Sequence, residues 1–279
     1  MKFTSHMQLR DWIKNKSKKM NAPEGMLMRA YFMERFLERV SISEYKENIV
    51  IKGGFLISSL VGIDVRMTMD LDTTVKSIEI NRQTVEEMIN KITTIDVSDG
   101  VTFEILSIKP IRDISEYDDF RISIRAWFLK LRQDIKIDIT VGDHIIPEEI
   151  EYDYKLMFEE RTVPIMAYSL YTILAEKLDA ILTRNTESTR ARDYYDIHLL
   201  VLLNKDKIDR KLLQETTRTK MENRHHAEYF DNCKEYLKRI ENSPELRRVW
   251  NAYTGRYSYA KDIEFTDIIP LIYWLLERE

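Results

Sequence analysis

Apolar positions recur every three or four residues over 7–19 and 24–40, so the chain opens with two amphipathic helices. Met28, Tyr31, Phe32, Phe36 and Leu37 share the apolar face of the second. The pattern then changes period. Ile49 to Ile51 form a short apolar run that closes on Gly53-Gly54, which reads as a buried strand and a turn, and a helix from Phe55 to Val61 follows. Residues 64–75, DVRMTMDLDTTV, read as the next strand, and Val85, Met88, Ile89 and Ile92 mark a helix over 81–94. VTFEILSI (101–108), RISIRAWFLKL (121–131) and DIKIDITV (134–141) are three further strands. The second of these alternates Ile122, Ile124, Ala126 and Phe128. The third alternates Ile135, Ile137, Ile139 and Val141 against Lys136, Asp138 and Thr140.

After Pro164 the pattern is helical, with SLYTILAEKLDAILTRN, RARDYYDIHLLVLL, LLQETTRTKM, AEYFDNCKEYLKRI and DIIPLIYWLLERE as the segments and no strand among them. Strands with helices before and between them predict an α+β fold, a mixed sheet domain followed by a mainly helical one. The expected division is 1–165 and 166–279.

Composition narrows this picture. A hydrophobic fraction of 44% is ample for a folded core. The 43 basic and 47 acidic residues nearly balance, which argues against a chain coated in nucleic acid but leaves room for a local basic patch. The single cysteine, Cys233, allows neither an internal disulfide nor a cysteine-based zinc site. The amino terminus lacks the apolar run of a signal peptide, and IIPLIYWLL (268–276) is too short to span a bilayer and is interrupted by Pro270. A cytoplasmic protein without a membrane partner is therefore expected.

The candidate chemistry begins with Asp70 and Asp72. Two apart in a strand, they fall on one face, where like charges repel and core packing has no use for them. With Asp138 on the polar face of another strand they offer the hard oxygen ligands that Mg²⁺ prefers. A D-x-D alone recurs by chance, so its company matters. Upstream, the Gly53-Gly54 turn leads from a strand into a helix, a geometry that lets backbone N–H groups approach phosphate oxygens. In the helical half, Lys177 lies seven residues after Leu170 and four after Ile173, on the apolar stripe of its helix, where it must reach solvent or answer an anion. Asp193, Ile197 and Leu200 share a stripe of the next helix, with Asp196 one turn along. A Lys177–Asp193 ion pair and a direct role in catalysis both fit that placement. RRVWNAYTGRYSYAK (247–261) interleaves cations with aromatics, which suits RNA and equally suits a helix end packing its rings inward.

Two blocks together resemble the AbiEii/AbiGii family of nucleotidyltransferase-like toxins of abortive-infection and type IV toxin–antitoxin systems. The first is IKGGFLISSLVGIDVRMTMDLDTTV, and the second is MAYSLYTILAEKLDAILTRNTESTRARDYYDIHLL. The resemblance implies a polymerase-β-like nucleotidyltransferase fold, a nucleoside triphosphate substrate, and Mg²⁺ or Mn²⁺ as cofactor. It assigns Asp70 and Asp72 to metal binding and catalysis, and Lys177 and Asp193 to catalysis. Nucleotide binding falls to Lys52, Gly53, Gly54, Arg66 and Thr68, while Asp138 is an added candidate for a third metal ligand. Thr68 stands where the commoner family pattern has serine, and Thr73 where it has an apolar residue; neither change removes a ligand. The implied acceptor is RNA, with the tRNA 3′ end as the expected site. The implied consequence is growth inhibition in phage defence, with a separately encoded antitoxin, expected to be a winged-helix regulator. Alternatives are transfer to a protein hydroxyl or small molecule, and an idle domain that binds nucleotide or RNA to regulate a partner. The intact carboxylates and Lys177 speak against idleness.

Overall fold

The computed structural model describes residues 3–62, 66, 68–111, 119–142 and 144–277. It divides into two compact units, Met1–Asp143 with Glu149–Ala167, and His144–Glu148 with Tyr168–Glu279.

The first unit contains α1 (His6–Met20), α2 (Glu24–Ser41), β1 (Ile49–Lys52), α3 (Gly53–Val61), β2 (Leu71–Val75), α4 (Arg82–Thr93), β3 (Val101–Pro110), β4 (Phe120–Phe128), β5 (Leu131–Thr140), β6 (Ile150–Lys155) and β7 (Thr162–Ala167). The strands form one seven-stranded sheet in the order β3-β4-β5-β2-β1-β7-β6. It is mixed: β2–β5 and β1–β7 pair in parallel, and the other neighbours are antiparallel. Alternation decides the faces. Ile122, Ile124, Ala126, Ile135, Ile137 and Ile139 are buried, and α2 packs on β5 and β7 while α4 packs on β3. The alternate positions of β4 and β5, among them Arg121, Arg125, Asp134 and Asp138, point the other way.

Several expectations need correction. The strand predicted over 64–75 is shorter, because β2 starts at Leu71 and Asp70 stands in a bend before it; Asp64, Val65 and Met67 lie outside the described residues. The helix expected from Phe55 begins at Gly53, directly on the end of β1. Two strands, β6 and β7, went unpredicted, and β7 carries Pro164, the residue after which only helices were expected. Proline fits there because β7 pairs with β1 only at Met166 and Ala167, so Pro164 lies where β7 has β6 alone as a ladder partner. The hairpin of β4 and β5 turns at Leu129 and Lys130, where Leu129 adopts a left-handed φ of 53°. Leucine is an uncommon choice for that conformation, so the turn had no signature and both strand ends beside it were misplaced by three residues.

The second unit is helical: α5 (Leu170–Arg184), α6 (Ala191–Asn204), α7 (Arg210–Asn223), α8 (Ala227–Asp231), α9 (Cys233–Glu241), α10 (Pro244–Arg256) and α11 (Phe265–Leu276). The segment expected as one helix around Asn232 is broken there into α8 and α9. Helix α11 runs through Pro270, whose ring is exposed. Among the described residues no helix is long and apolar enough to cross a membrane.

In the core of the first unit, burial dominates the carboxyl of Glu34. Glu34 on α2 is fully buried, accepts from the Met157 amide (2.7 Å) and the Tyr154 hydroxyl (3.1 Å), and leaves Oε2 without a hydrogen bond. Burial raises its pKa to about 7 against the weaker pull of those bonds and of Arg35. A carboxyl whose folded pKa is raised binds more protons in the native state, so its contribution to stability is full below the unfolded value and is lost as pH rises through about 7. Thermal melts of wild type and Glu34→Gln between pH 5 and 8 test this. The stability difference between them should shift in favour of Glu34→Gln as pH rises, and a difference independent of pH would refute it.

Candidate active site

The first unit gathers the sequence-predicted residues through the register of its strands. Lys52 at the end of β1 pairs with Asp72 on β2, Asp72 pairs with Asp138 on β5, and Asp138 pairs with Arg121 on β4. Register partners on adjacent strands share a face. The result is a row across four strands that reads cation, anion, anion, cation. Strands lie about 4.8 Å apart, and two full charges at that spacing repel by roughly 3 kcal/mol at an effective dielectric of about 20. The flanking cations offset this. Arg121 forks onto Asp138 with Nε to Oδ1 at 2.8 Å and Nη2 to Oδ2 at 2.6 Å. Lys52, nearly buried, donates to the Thr140 hydroxyl at 2.7 Å, which in turn lies 3.3 Å from that of Thr74. Burial, and then the charge of Asp138, push the Asp72 pKa above the usual carboxylate range, while the Gly54 amide and Lys52 pull it back.

The glycine turn is built onto this row. The Gly54 amide donates to Asp72 Oδ2 at 3.3 Å. Gly53 has φ +65°, and a Cβ there would overlap the Asp72 carboxylate. A Cβ at Gly54 would sit 2.9 Å from Thr68 Oγ1 and 3.0 Å from Arg66 Nη2. Glycine is thus required twice, for conformation at Gly53 and for close approach at both. Arg66 is buried, and Thr68 donates from its hydroxyl to the Asp70 carbonyl at 3.3 Å. Lys52, Gly53, Gly54, Arg66, Thr68, Asp70, Asp72 and Asp138 therefore belong to one neighbourhood.

The donor set suits a hard divalent ion in kind, since it is all oxygen and carries excess negative charge. Among the described residues, however, no three His, Cys, Asp or Glu side chains converge to hold a metal, and both oxygens of Asp138 are engaged by Arg121.

In the second unit, Lys177 on α5 is buried between two carboxylates of α6, Asp193 Oδ1 at 2.6 Å and Asp196 Oδ2 at 2.9 Å. Burial alone would favour the neutral amine, but Asp196 and Asp193 outweigh it and hold the Lys177 pKa above the ordinary lysine value. Asp193 also takes Arg190 Nε at 2.8 Å and sits in the first turn of α6, where the helix dipole favours an anion. The Lys177–Asp193 pair was legible in the sequence; Asp196 and Arg190 as further members of the cluster were not. Arg192, next to Asp193 in the block RARDYYDIHLL, instead lies over the Tyr257 ring at 6.0 Å. In the 247–261 segment Trp250 and Tyr253 are buried, with Trp250 donating to the Ile263 carbonyl at 2.9 Å. Tyr257 and Tyr259 stay half-buried, and Arg256 lies 5.4 Å over Tyr257. Two of the four rings thus serve the core.

These features are those of a nucleotidyltransferase, and the comparisons with known proteins agree. The family model described as "Nucleotidyl transferase AbiEii toxin, Type IV TA system" matches residues 35–276, and the chain belongs to that family. A candidate nucleotidyltransferase of Helicobacter pylori aligns at TM-score 0.50 with 17% identity, covering 92% of this chain and all of the other. JHP933, also from Helicobacter pylori, aligns at TM-score 0.50 with 16% identity, covering 91% of each. At such identity the likeness is one of fold. No curated protein matches the chain.

Two substitutions test the geometry. Lys177→Ala leaves Asp193 and Asp196 facing each other without the shared ammonium, and should cost about 3–5 kcal/mol in denaturant unfolding; a loss under about 1 kcal/mol, the scale of an exposed pair, would contradict the burial argument. Gly53→Ala should displace the Asp72 carboxylate and cut nucleotidyl transfer sharply while the far-UV spectrum stays native. Retention of wild-type turnover would show that the turn and Asp72 are not coupled.

Proposed function

We propose that this chain transfers a nucleotidyl group from a nucleoside triphosphate to the 3′ end of an RNA, with tRNA the expected acceptor, and so arrests growth. The observation that carries the proposal is the pressing of the Gly53-Gly54 turn onto Asp72 within a charge row that includes a second carboxylate. A backbone turn with amides at a helix start, set against carboxylates, brings phosphate-binding and ion-binding chemistry to one place. Asp70 and Asp72, with Asp138, are the proposed holders of a divalent ion, Mg²⁺ or Mn²⁺, which when bound supplies positive charge against the triphosphate and acidifies the acceptor hydroxyl. Gly53, Gly54, Lys52, Arg66 and Thr68 are proposed to contact the triphosphate side.

The acceptor oxygen attacks the α-phosphorus, the bond to the bridging oxygen of the β-phosphate breaks, and pyrophosphate leaves with that electron pair. The hydroxyl proton passes to a carboxylate of the row. Lys177 and Asp193 are proposed as the further catalytic pair, with Asp196 and Arg190 fixing their positions. Tyr257, flanked by Arg192 and Arg256, supports an RNA acceptor through stacking and phosphate contacts. The proposed partner is a separately encoded antitoxin, a winged-helix regulator, and the proposed compartment is the cytoplasm.

The test is to incubate the protein with total RNA or total protein, each α-labelled NTP and Mg²⁺, and to see which polymer is labelled. Label should enter RNA at its 3′ end. Asp70→Asn should lower the rate by at least about a hundredfold, the scale on which one charge-stabilising contact acts. Label on protein would move the acceptor class. No label at all, with Asp70→Ala as growth-inhibitory as wild type, would sink the enzymatic reading.

A further inference from the structure

Two forked arginine–aspartate pairs bridge β4 and β5 on the polar face of the sheet, and they make an internal comparison. Arg125 grips Asp134 with Nε to Oδ1 at 2.7 Å and Nη2 to Oδ2 at 3.0 Å, and the two are register partners. Arg121 grips Asp138 in the same manner four residues along. What differs is the next strand. The β2–β5 ladder begins at Leu71 and Ile137, so Asp134 has no register partner on β2, whereas Asp138 is aligned with Asp72. Arg125–Asp134 is thus an ordinary cross-strand ion pair on a half-exposed surface. Arg121 meets a concentration of negative charge, and Asp70 and Asp72 act on its guanidinium together with Asp138.

We propose that Arg121 is the internal counter-cation of this carboxylate group: it holds both oxygens of Asp138 and so opposes the use of Asp138 as a metal ligand. This deepens the proposed function and rests on the proposed ion at Asp70, Asp72 and Asp138. Arg121 is a positioning residue, not a catalytic one. A bidentate guanidinium–carboxylate fork takes one lone pair on each oxygen and neutralises the charge that would draw a cation to Asp138, and Arg121 is nearly half exposed, so it has open space into which to withdraw. Metal and guanidinium therefore compete for Asp138, and Arg121 sets how much cation the site takes up before a triphosphate arrives with its own negative charge.

Mn²⁺ binding to the full-length protein without nucleotide, read from the free-Mn²⁺ electron paramagnetic resonance signal, tests this without recourse to turnover. Arg121→Ala should bind Mn²⁺ about tenfold more tightly than wild type or beyond, a change of roughly one logarithmic unit in Kd. Arg125→Ala should bind as wild type does. Arg121→Lys, which keeps the charge but not the fork, guards against a misfolded alanine variant and should fall between. In metal-free buffer Arg121→Ala should melt lower than Arg125→Ala, and excess Mn²⁺ should close the gap. Arg121 variants that bind Mn²⁺ no better than wild type, while Asp70→Asn abolishes binding, would overturn this inference and leave the proposed ion in place. Absence of Mn²⁺ binding in wild type and every variant would overturn both.

Discussion

The repulsion between Asp72 and Asp138 is the constraint around which the first unit is arranged. Parallel pairing of β2 with β5 brings the two carboxylates into register, and that pairing is itself fixed by the buried faces of both strands. A one-residue slip would send Ile135, Ile137 and Ile139 to the polar side. The hydrophobic pattern therefore forces two like charges together, and the cations at either end of the row, Lys52 and Arg121, are what make the arrangement tolerable. All four residues of this row stand on strands, so its geometry is that of the sheet; Asp70 lies just outside it, in the bend before β2.

The alternation of β4 and β5, the helical period of α2, α4, α5 and α6, and the change of character in the second half were all readable, because each depends on residues close in sequence. The site was readable as a set of residues. What escaped was connectivity. Arg121 as the partner of Asp138 depends on where the β4–β5 hairpin turns, and a leucine in left-handed conformation gives no sign of it. The strand β6 escaped because Tyr154 is its one buried residue, and β7, although its burial alternates, because it contains a proline. Thr140 as the hydroxyl partner of Lys52 needed the β2–β5 pairing, which joins strands 66 residues apart.

The helical unit teaches a complementary lesson. A lysine on an apolar stripe announces that an anion is near, and Asp193 fits by its own inward position. One buried ammonium facing two carboxylates leaves a net negative cluster, and Arg190 at the helix start brings it back to balance. That arginine precedes α6 and so lay outside any helical periodicity. Arg192, one residue before Asp193, instead ends on an aromatic ring.

The place of β7 has a consequence for the order in which the molecule is made. β1 lies between β2 and β7, and β7 is the last strand of the sheet in the sequence. On a ribosome, β1 can pair with β2 early, but its other edge stays open until residues 162–167 have left the exit tunnel. Lys52 and the glycine turn continue directly from β1. Their support is therefore incomplete until β7 has emerged, and a nascent fragment ending before β7 carries every carboxylate of the row without the finished sheet that holds it.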